Sequence, residues 1–325
     1  MFEQTAGMRI DMTNQVYDQS WQLELNVSAP KKPFVDYTTR FTNFINTMLE
    51  NDIGEGDLTT KLVTNPNQEA TAIISTEENG VVAGIEEVVN YYETHGVKAV
   101  PKAEDGDVVE KNQELIYLEG KAQSLLTLER VGLNIIRRMS GIATLTREYV
   151  NLLEPYNTQV AGTRKTNSEE LLEKKAIYHG GGLTHRLGLD QHIMIKDCHL
   201  DLIAAEGYEH PITEAVNRAE EVHYNTIEVE VKNIGEAVEA AKAIYSGFDI
   251  DKRYVIMLDN MQPIEITDTL EALGNLTRGI IFEASGGINL DTAESYAKTG
   301  VDVVSTSQIT ERAMPLNIHQ KIKIK

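Results

Sequence analysis

The chain has little cysteine, and its charge is mostly of one sign. Cys198 is the single cysteine among 325 residues, so a disulfide framework within the chain is excluded. Because this usage suits a reducing compartment, we expect a cytoplasmic location. Lys and Arg number 30 against 50 Asp and Glu, which gives a formal net charge of −20. We therefore expect neither nucleic acid nor an anionic membrane as a partner.

Long hydrophobic runs are absent as well. We find no stretch of about 18 apolar residues and no charged-then-apolar leader, so we expect no membrane span and no secretion signal. What is present is an ordinary globular composition, with 41% hydrophobic and 25% charged residues. The length suits one large domain or two modest ones.

The periodicity of apolar residues changes along the chain. Residues 1–33 are polar and aperiodic, and helical spacing begins at Tyr37 and continues to Leu49 before GEGDLTT interrupts it. Residues 70–120 contain short β-type runs around one helix, and a long helix follows from Ala122 to about Leu153.

Strands and helices then alternate, which is typical of βα units. Six strand-like runs end near Ala161, Ile195, Val231, Leu258, Phe282 and Val304. Because a complete (β/α)₈ barrel needs eight strands, two folds remain open at this point. One is an incomplete or irregular barrel, and the other is a doubly wound open sheet.

The strand ends carry polar sequences, namely GTRKT, IKD, EVEV, MLDN, EASGG and STSQ. The carboxyl ends of parallel strands open onto one face, where α/β proteins build their sites. Six polar endings are hard to explain by packing, so we predict one shared site.

Basic residues make up one part of this predicted site. Arg164 and Lys165 precede Asn167, which we interpret as the N-cap of a helix in a capping-box arrangement with Glu170. An anion would also benefit from the N–H groups of that helix start. Further cations are His185 and Arg186 after three glycines, and Lys196 at the end of an apolar run. The alternatives are a surface pair, a flexible loop and an internal salt bridge, respectively.

Acidic residues and a glycine pair make up the other part. Glu228 and Glu230 lie two apart on one strand and therefore face the same way. With Asp259 they could hold Mg²⁺ and sugar hydroxyls, unless they only pair with internal cations. Ser285, Gly286 and Gly287 form a plausible phosphate cradle.

Two residues near Lys196 receive minor roles. We interpret Cys198 as a buried bystander, and His199 as a support for the Lys196 loop. Four histidines lie between Gly162 and His199, but their spacing matches no zinc motif, so we expect no structural zinc site.

The motifs also occur in a characteristic order. The series is GEGDLTT, the ERxxLNxxxRxSGIAT run from Glu129 to Thr144, TRKT, GGGxxHRxGL, IKDxH, EVEV, MLDN, EASGGI and TGVD. With this series, over residues 38–318, the chain resembles the quinolinate phosphoribosyltransferase family. The ordered set is far more specific than any one of its motifs.

The resemblance implies a fold and an assembly. The fold is an α/β sandwich domain at 34–130 and an incomplete α/β barrel at 131–308, as in type II phosphoribosyltransferases. It implies a polar extension at 1–33 and a C-terminal segment, 309–325, that returns to the sandwich. It further implies a homodimer in which Arg130 enters the site of the neighbouring subunit.

The resemblance also implies a reaction. Quinolinate and 5-phosphoribosyl diphosphate, with Mg²⁺, give nicotinate mononucleotide, CO₂ and diphosphate, a step of NAD biosynthesis. The implied catalytic residues are Lys165, Lys196, Glu230 and Asp259, the last two also near Mg²⁺. The implied substrate-binding residues are Arg130, Arg164, Lys165, His185, Arg186, Lys196, Glu230, Asp259, Ser285, Gly286, Gly287 and Ser307.

Three positions depart from the family pattern, and they define the alternatives. Gly162 stands where an aspartate is common, Cys198 where an asparagine is common, and Ser307 at a usual glycine. The second hypothesis is therefore a paralogue that acts on another acidic base such as nicotinate, or one associated with molybdenum uptake. The third is a lyase or aldolase barrel that forms a Schiff base through Lys196.

Overall fold

The structure is a computed structural model that describes residues 37–167, 169–222, 226–250 and 252–324. The predicted extension at 1–33 lies outside these residues. The described chain divides by its contacts into two units. The sandwich unit comprises residues 37–148, Thr166–Gly181 and 309–324, and the barrel unit comprises Tyr149–Lys165 and Gly182–Gln308.

The helices and strands agree in order with the sequence patterns. The helices are α1 (Tyr37–Ile53), α2 (Leu58–Val63), α3 (Ile85–Thr94), α4 (Ala122–Leu153), α5 (Glu170–Gly180), α6 (Asp197–Ala205), α7 (Pro211–Glu220), α8 (Ile234–Ser246), α9 (Pro263–Leu273), α10 (Leu290–Ala297) and α11 (Gln308–Glu311). The strands are β1 (Glu69–Thr76), β2 (Gly80–Val81), β3 (Lys98–Pro101), β4 (Val108–Val109), β5 (Glu114–Lys121), β6 (Gln159–Ala161), β7 (Ile193–Ile195), β8 (Thr226–Val231), β9 (Arg253–Asp259), β10 (Ile280–Ser285), β11 (Val303–Ser305) and β12 (Ile318–Ile324).

The sandwich unit is built on an antiparallel sheet with the strand order β12-β1-β5-β3. Residues along β1 alternate between buried and more exposed positions, as the period of a strand with one packed face requires. The C-terminal strand β12 pairs with β1, with Ile318 opposite Thr76. The sheet therefore joins segments from both ends of the described chain.

The barrel unit holds a six-stranded parallel sheet with the order β6-β11-β10-β9-β8-β7. This order follows a circle. From β7 to β11 each strand neighbours the next one in sequence, β11 neighbours β6, and the circle is open only between β6 and β7. A single parallel bridge from Ala161 to Leu183 extends the β6 side. The sheet is thus an incomplete barrel, which resolves the choice that the strand count left open. Its apolar interior includes Ala161, Leu183, Val255, Ile281 and Val303.

The predicted domain boundary after residue 130 lies within α4, whose apolar face continues past it, and it stays a prediction. Two local features differ from the sequence predictions. GEGDLTT interrupts α1 but already contains the start of α2, which Asp57 caps. The N-cap of α5 is Glu169, so the prediction that Asn167 caps this helix is wrong. The side chain of Asn167 instead donates to the carbonyl oxygen of Thr310 at 3.2 Å.

None of the described helices combines the length and apolar character that crossing a bilayer requires.

Candidate active site

The register of the parallel strands places the predicted polar residues on one face of the barrel sheet. Glu230 lies beside Met257, which lies beside Glu283, and one step further along the same face Asp259 lies beside Ser285. In a parallel sheet, paired residues and residues two apart point the same way. Acidic and hydroxyl side chains from three strands therefore converge toward the carboxyl ends of the strands.

Lys196 and Glu230 form an ion pair at this end of the barrel. The Lys196 Nζ lies 2.5 Å from the Glu230 Oε2, and the two side chains are 40% and 8% exposed. The backbone N–H of Lys196 donates to the Nδ1 of His199 at 2.9 Å. This bond confirms the predicted support of the Lys196 loop by His199.

Arg186 is a buried cation of this site. Its Nη2 donates to the Sδ of Met194 at 3.1 Å, and within the described residues it makes no ion pair. Burial lowers the pKa of Arg186, the negative charge of Glu228 acts against this, and the positive charge of Arg164 lowers it further. The positive charge of Arg164 therefore reaches a buried guanidinium, an arrangement that an anionic ligand would stabilise.

His185 lies over two fully buried carboxylates. Its Nε2 is 3.6 Å from an oxygen of Glu228 and 3.6 Å from an oxygen of Glu283, and His192 Nε2 is 2.8 Å from the same Glu228 oxygen. Burial acts to lower the pKa of His185, but the charges of Glu228 and Glu283 outweigh it and raise the pKa to about 9. The nearby charge of His185 lowers the pKa of Glu228, although burial alone would raise it.

The same cluster has the composition of a metal site, since His185, His192 and Glu228 bring their ligand atoms within 4.8 Å of one another. The protonation of His185 argues against that interpretation. Its pKa of about 9 keeps the ring protonated at neutral pH, and in the neutral ring that forms above this pH Nδ1 accepts the backbone N–H of Arg186 at 2.9 Å, so the proton stays on Nε2. A metal-bound histidine shows the opposite pattern, with the second nitrogen donating. We therefore interpret the group as a network of charged side chains.

Carboxylate oxygens suited to Mg²⁺ are offered by Glu230 and Asp259. Asp259 ends β9 in a half-buried position, and its Oδ2 accepts a hydrogen bond from Asn260 at 2.7 Å. Glu230 is engaged by Lys196 through Oε2. Hard oxygen donors on neighbouring strands fit a hard divalent cation that keeps most of its water ligands.

The segment Ser285–Gly286–Gly287 links β10 to α10 and requires its glycines. Gly286 and Gly287 have φ of +107° and +65°, a region that favours glycine. A Cβ at Gly286 would lie 2.4 Å from the Asn260 Oδ1, whereas a Cβ at Gly287 would meet nothing within 4 Å. The glycines let the backbone turn tightly at the end of β10, and the phosphate cradle at this segment stays a prediction. Helix α10 begins at Leu290, with Asn289 as its N-cap.

Two other predictions near the site change in the structure. The glycine run before His185 serves the sandwich unit: a Cβ at Gly180 would lie 2.7 Å from the carbonyl oxygen of Ala143, and Gly181, with φ of +91°, caps α5. The close backbone contact of Gly180 is therefore with helix α4. Cys198 is exposed, which corrects the expectation that it is buried. It occupies the first turn of α6.

The remaining predicted residues are distributed over both units. Arg164 and Lys165 follow β6 and are exposed, and Ser307 follows β11 in a half-buried position. Thr306, beside Ser307, donates its N–H to the carbonyl oxygen of Ala161 at 3.0 Å. Arg130 belongs to the sandwich unit, on α4, with a side chain that is 53% exposed.

Sequence reasoning missed His192 and Glu283. Glu283 could have been found, because it lies two residues before Ser285 on the same strand and must share its face. His192 lies just before β7 in an irregular segment, where no periodicity indicates the direction of a side chain. Only the fold brings it within hydrogen-bonding distance of Glu228.

The chain was also compared with known proteins. The N-terminal domain of quinolinate phosphoribosyl transferase matches residues 57–140, and its C-terminal domain matches residues 142–321. A probable nicotinate-nucleotide pyrophosphorylase [carboxylating] of Methanothermobacter thermautotrophicus is 38% identical over 288 residues, 86% of this chain and 98% of the relative. A protein of the same description from Bacillus subtilis is 36% identical over 284 residues, which covers 86% of this chain and 92% of the relative.

Solved structures agree with these matches. The nicotinate-nucleotide pyrophosphorylase from Francisella tularensis superposes with a TM-score of 0.76 at 29% identity, covering 87% of this chain and 96% of that one. Human nicotinic acid phosphoribosyltransferase, at 12% identity and a TM-score of 0.57 over 86% of this chain and 73% of that one, shares the fold alone. On these findings, the chain belongs to the quinolinate phosphoribosyl transferase family.

Proposed function

We infer that this chain transfers the phosphoribosyl group of 5-phosphoribosyl diphosphate to quinolinate. The products are nicotinate mononucleotide, CO₂ and diphosphate, so the reaction is a step of NAD biosynthesis. The observation that carries this function is Arg186, a guanidinium 9% exposed that has no ion pair within the described residues and lies in reach of the charge of Arg164. Family membership gives that anion site its reaction.

Two converging arginines suit a pyridine dicarboxylate. A buried guanidinium without an anion is costly, and planar guanidinium groups bind carboxylates through two parallel hydrogen bonds. Quinolinate carries two adjacent carboxylates, so Arg164 and Arg186 can each meet one of them. Nicotinate carries a single carboxylate and would leave part of this positive charge unbalanced.

The acidic residues fit the next part of the reaction. The ring nitrogen of quinolinate attacks the ribose C1 as diphosphate leaves, and the sugar becomes cationic in the transition state. The carboxylate of Glu230, only 8% exposed, offers a preorganised negative charge to that cation. The Ser285–Gly286–Gly287 segment provides N–H groups for the 5-phosphate.

Decarboxylation follows from the same charges. When the bond between ring carbon 2 and its carboxylate breaks, the electron pair stays on the ring beside the now cationic nitrogen. The positive charges of Arg164, Arg186 and Lys196 favour this carbanion, which then takes a proton from water. The chain needs no dedicated acid–base pair for this step.

We propose Mg²⁺ as the cofactor, held by Glu230 and Asp259 together with the diphosphate substrate. Bound there, it would neutralise the charge of the leaving diphosphate. The support is the donor chemistry of the two carboxylates. We also propose a cytoplasmic location, which the single cysteine supports.

We propose further that the chain acts as a homodimer with Arg130 completing a partner's site. In the sandwich unit, α2 exposes Leu58, Leu62 and Val63 by 72%, 81% and 73%. Asp57, which caps α2, accepts a hydrogen bond from Thr127 at 2.9 Å, one turn before Arg130 on α4. An apolar patch beside an exposed arginine is the composition of a protein interface.

The dimer proposal is tested by subunit mixing. Inactive Arg130→Ala and Lys196→Ala proteins are unfolded together and refolded, so that mixed dimers carry one intact site. Activity returns if Arg130 serves the partner subunit, and a mixture that stays inactive contradicts the proposal.

The reaction is tested with purified protein, 5-phosphoribosyl diphosphate, Mg²⁺ and either quinolinate or nicotinate. We expect equal amounts of nicotinate mononucleotide and CO₂ from quinolinate, and none when phosphoribosyl diphosphate is omitted. A protein that makes nicotinate mononucleotide only from nicotinate would support the paralogue instead. An Arg186→Gln protein should lose most of its quinolinate affinity.

The Schiff-base alternative is disfavoured by Lys196. A Schiff-base lysine must present its amine to a carbonyl, whereas the Lys196 Nζ is engaged by the Glu230 carboxylate at 2.5 Å. Borohydride trapping with a carbonyl substrate should leave Lys196 unmodified.

A further inference from the structure

We propose that Glu228 and Glu283, with His192, are positioning residues that fix the quinolinate-binding residues His185 and Arg186 from below. This inference rests on the proposed function, and it gives Glu228 a role other than the contact with Mg²⁺ and sugar hydroxyls that its place on β8 predicts. Both glutamates are fully buried, and Glu228 lies two residues before Glu230 on β8.

His185 lies in a segment without regular secondary structure. Residues 184–192 form neither helix nor strand, so no ladder of backbone hydrogen bonds fixes them. Two local bonds shape the segment: the N–H of Leu187 donates to the Gln191 Oε1 at 2.7 Å, and the N–H of Arg186 donates to the His185 Nδ1 at 2.9 Å. The backbone at Arg186 therefore depends on the position of the His185 ring.

Two buried carboxylates hold the His185 ring in place. The other ring nitrogen of His185 lies 3.6 Å from both Glu228 and Glu283. Glu228 also accepts the 2.8 Å hydrogen bond of His192, at the far end of the same segment. Both ends of the irregular segment are thus attached through histidines to one carboxylate.

Both carboxylates start from rigid inner strands of the barrel sheet. Glu228 lies in the middle of β8, paired with Met194 of β7 and Val255 of β9, and every residue of β8 is buried. Glu283 lies within β10, between β9 and β11. Side chains that start from central strands can fix a loop more precisely than contacts within the loop.

Burying these two carboxylates costs free energy. The Oε1 of Glu228 is buried and has no hydrogen-bond partner within the described residues. Buried carboxylates are expensive, and two that share one histidine could be replaced by apolar side chains if packing were their only task. The charge of Glu228 also acts on Arg186, which couples the support to the anion site directly.

The test is a Glu228→Gln protein, which keeps the shape of the side chain and removes its charge. We expect the KM for quinolinate to rise by about 10- to 100-fold, because a displacement of about 1 Å in a binding group has effects of this size. The KM for phosphoribosyl diphosphate should stay within about twofold. A purely structural role would change the folded fraction and affect both substrates alike.

Glu220→Gln is the matched control. Glu220 is also paired, with Lys252 at 2.5 Å and with the hydroxyl of Tyr254 at 2.7 Å, but it contacts the amino end of β9. It should leave both KM values unchanged. If Glu228→Gln folds poorly, His192→Gln breaks the 2.8 Å bond and leaves the carboxylate, and the same selective rise in KM is expected.

Equal changes in both KM values, or no change in either, would overturn the positioning role while leaving the proposed function intact. A wild-type protein that makes no nicotinate mononucleotide from quinolinate would instead overturn the proposed function.

Discussion

Lys175 of the sandwich unit and Arg186 of the barrel unit are both buried, and they differ in their partners. In the sandwich unit, Lys175 is 1% exposed, and its Nζ lies 2.6 Å from Glu87 and 2.5 Å from Glu86. Arg138 in the same unit donates through Nε and Nη2 to Glu173, at 3.2 and 2.9 Å. Each of these cations meets an acidic partner from its own unit.

The buried arginine of the barrel unit has no such closure. Arg186 contacts a thioether and makes no ion pair within the described residues. Arg164 and Lys165 stand exposed after β6. Lys175 is neutralised by carboxylates of its own unit and stabilises the fold, whereas Arg186 is available to an anionic substrate.

The largest expected effect concerns Lys175. A Lys175→Met protein leaves Glu87 buried without its cation, so the free energy of unfolding should fall by about 3–5 kcal/mol, measured by urea titration. Glu87→Gln in the same protein should restore part of the loss. A loss below about 1 kcal/mol would show that these charges are not what stabilises the sandwich unit.

Lys165 should show the opposite behaviour. A Lys165→Met protein should lose about 10²- to 10³-fold in kcat/KM, because one charge that stabilises the transition state is removed. Its free energy of unfolding should change by no more than about 0.5 kcal/mol, since the residue is exposed. Lys298→Met removes an exposed lysine that pairs with Glu294 at 3.0 Å and is the control, with activity unchanged.

The smallest expected effect is a difference in pH dependence between two histidines six residues apart. Burial lowers the pKa of His179 in the sandwich unit, whereas two buried carboxylates raise that of His185 in the barrel unit to about 9. The stability from His185 is full below about pH 6.5, the unfolded pKa, and is lost as the pH rises through 9. His179 destabilises the folded state as the pH falls below 6.5.

The measurement is urea unfolding between pH 5 and 9.5 for the wild type, His179→Gln and His185→Asn. Relative to the wild type, His179→Gln should gain stability toward pH 5, and His185→Asn should lose about 1–3 kcal/mol near pH 6.5 and less near pH 9. The N–H of Arg186 reduces the second effect, because an imidazolium has no lone pair at Nδ1. Identical pH profiles for the two variants would contradict the contrast between the units.

Much of the barrel could be predicted from local patterns. The six strands coincide with the apolar runs. The polar residues that follow them lie at one face because the carboxyl ends of parallel strands open onto the same side. Arg164, Lys196, Glu230 and Asp259 follow from this rule. The ordered motifs then identify the family, although they could not show which residues support which.

Other features depended on contacts distant in sequence. The boundary between the units cannot be read from α4, since a continuous apolar stripe looks the same whether one core or two cover it. The cap of α5 was misassigned to Asn167, whose amide instead reaches Thr310, 143 residues away. The sequence suggested that Gly180 and Gly181 belong to a binding loop. In the structure, Gly180 packs against α4 and Gly181 caps α5.

The sequence by itself determined the alternation of strands and helices, the polar ends of the strands and the family, because each is written in local spacing and residue type. The tertiary structure alone decided that His192 meets Glu228 across 36 residues and that Glu283 joins Glu228 under His185. Those contacts depend on the circular strand order, which places an irregular segment against the middle of β8 and β10. Pairing between distant segments leaves no period in the sequence, so only the folded chain reveals it.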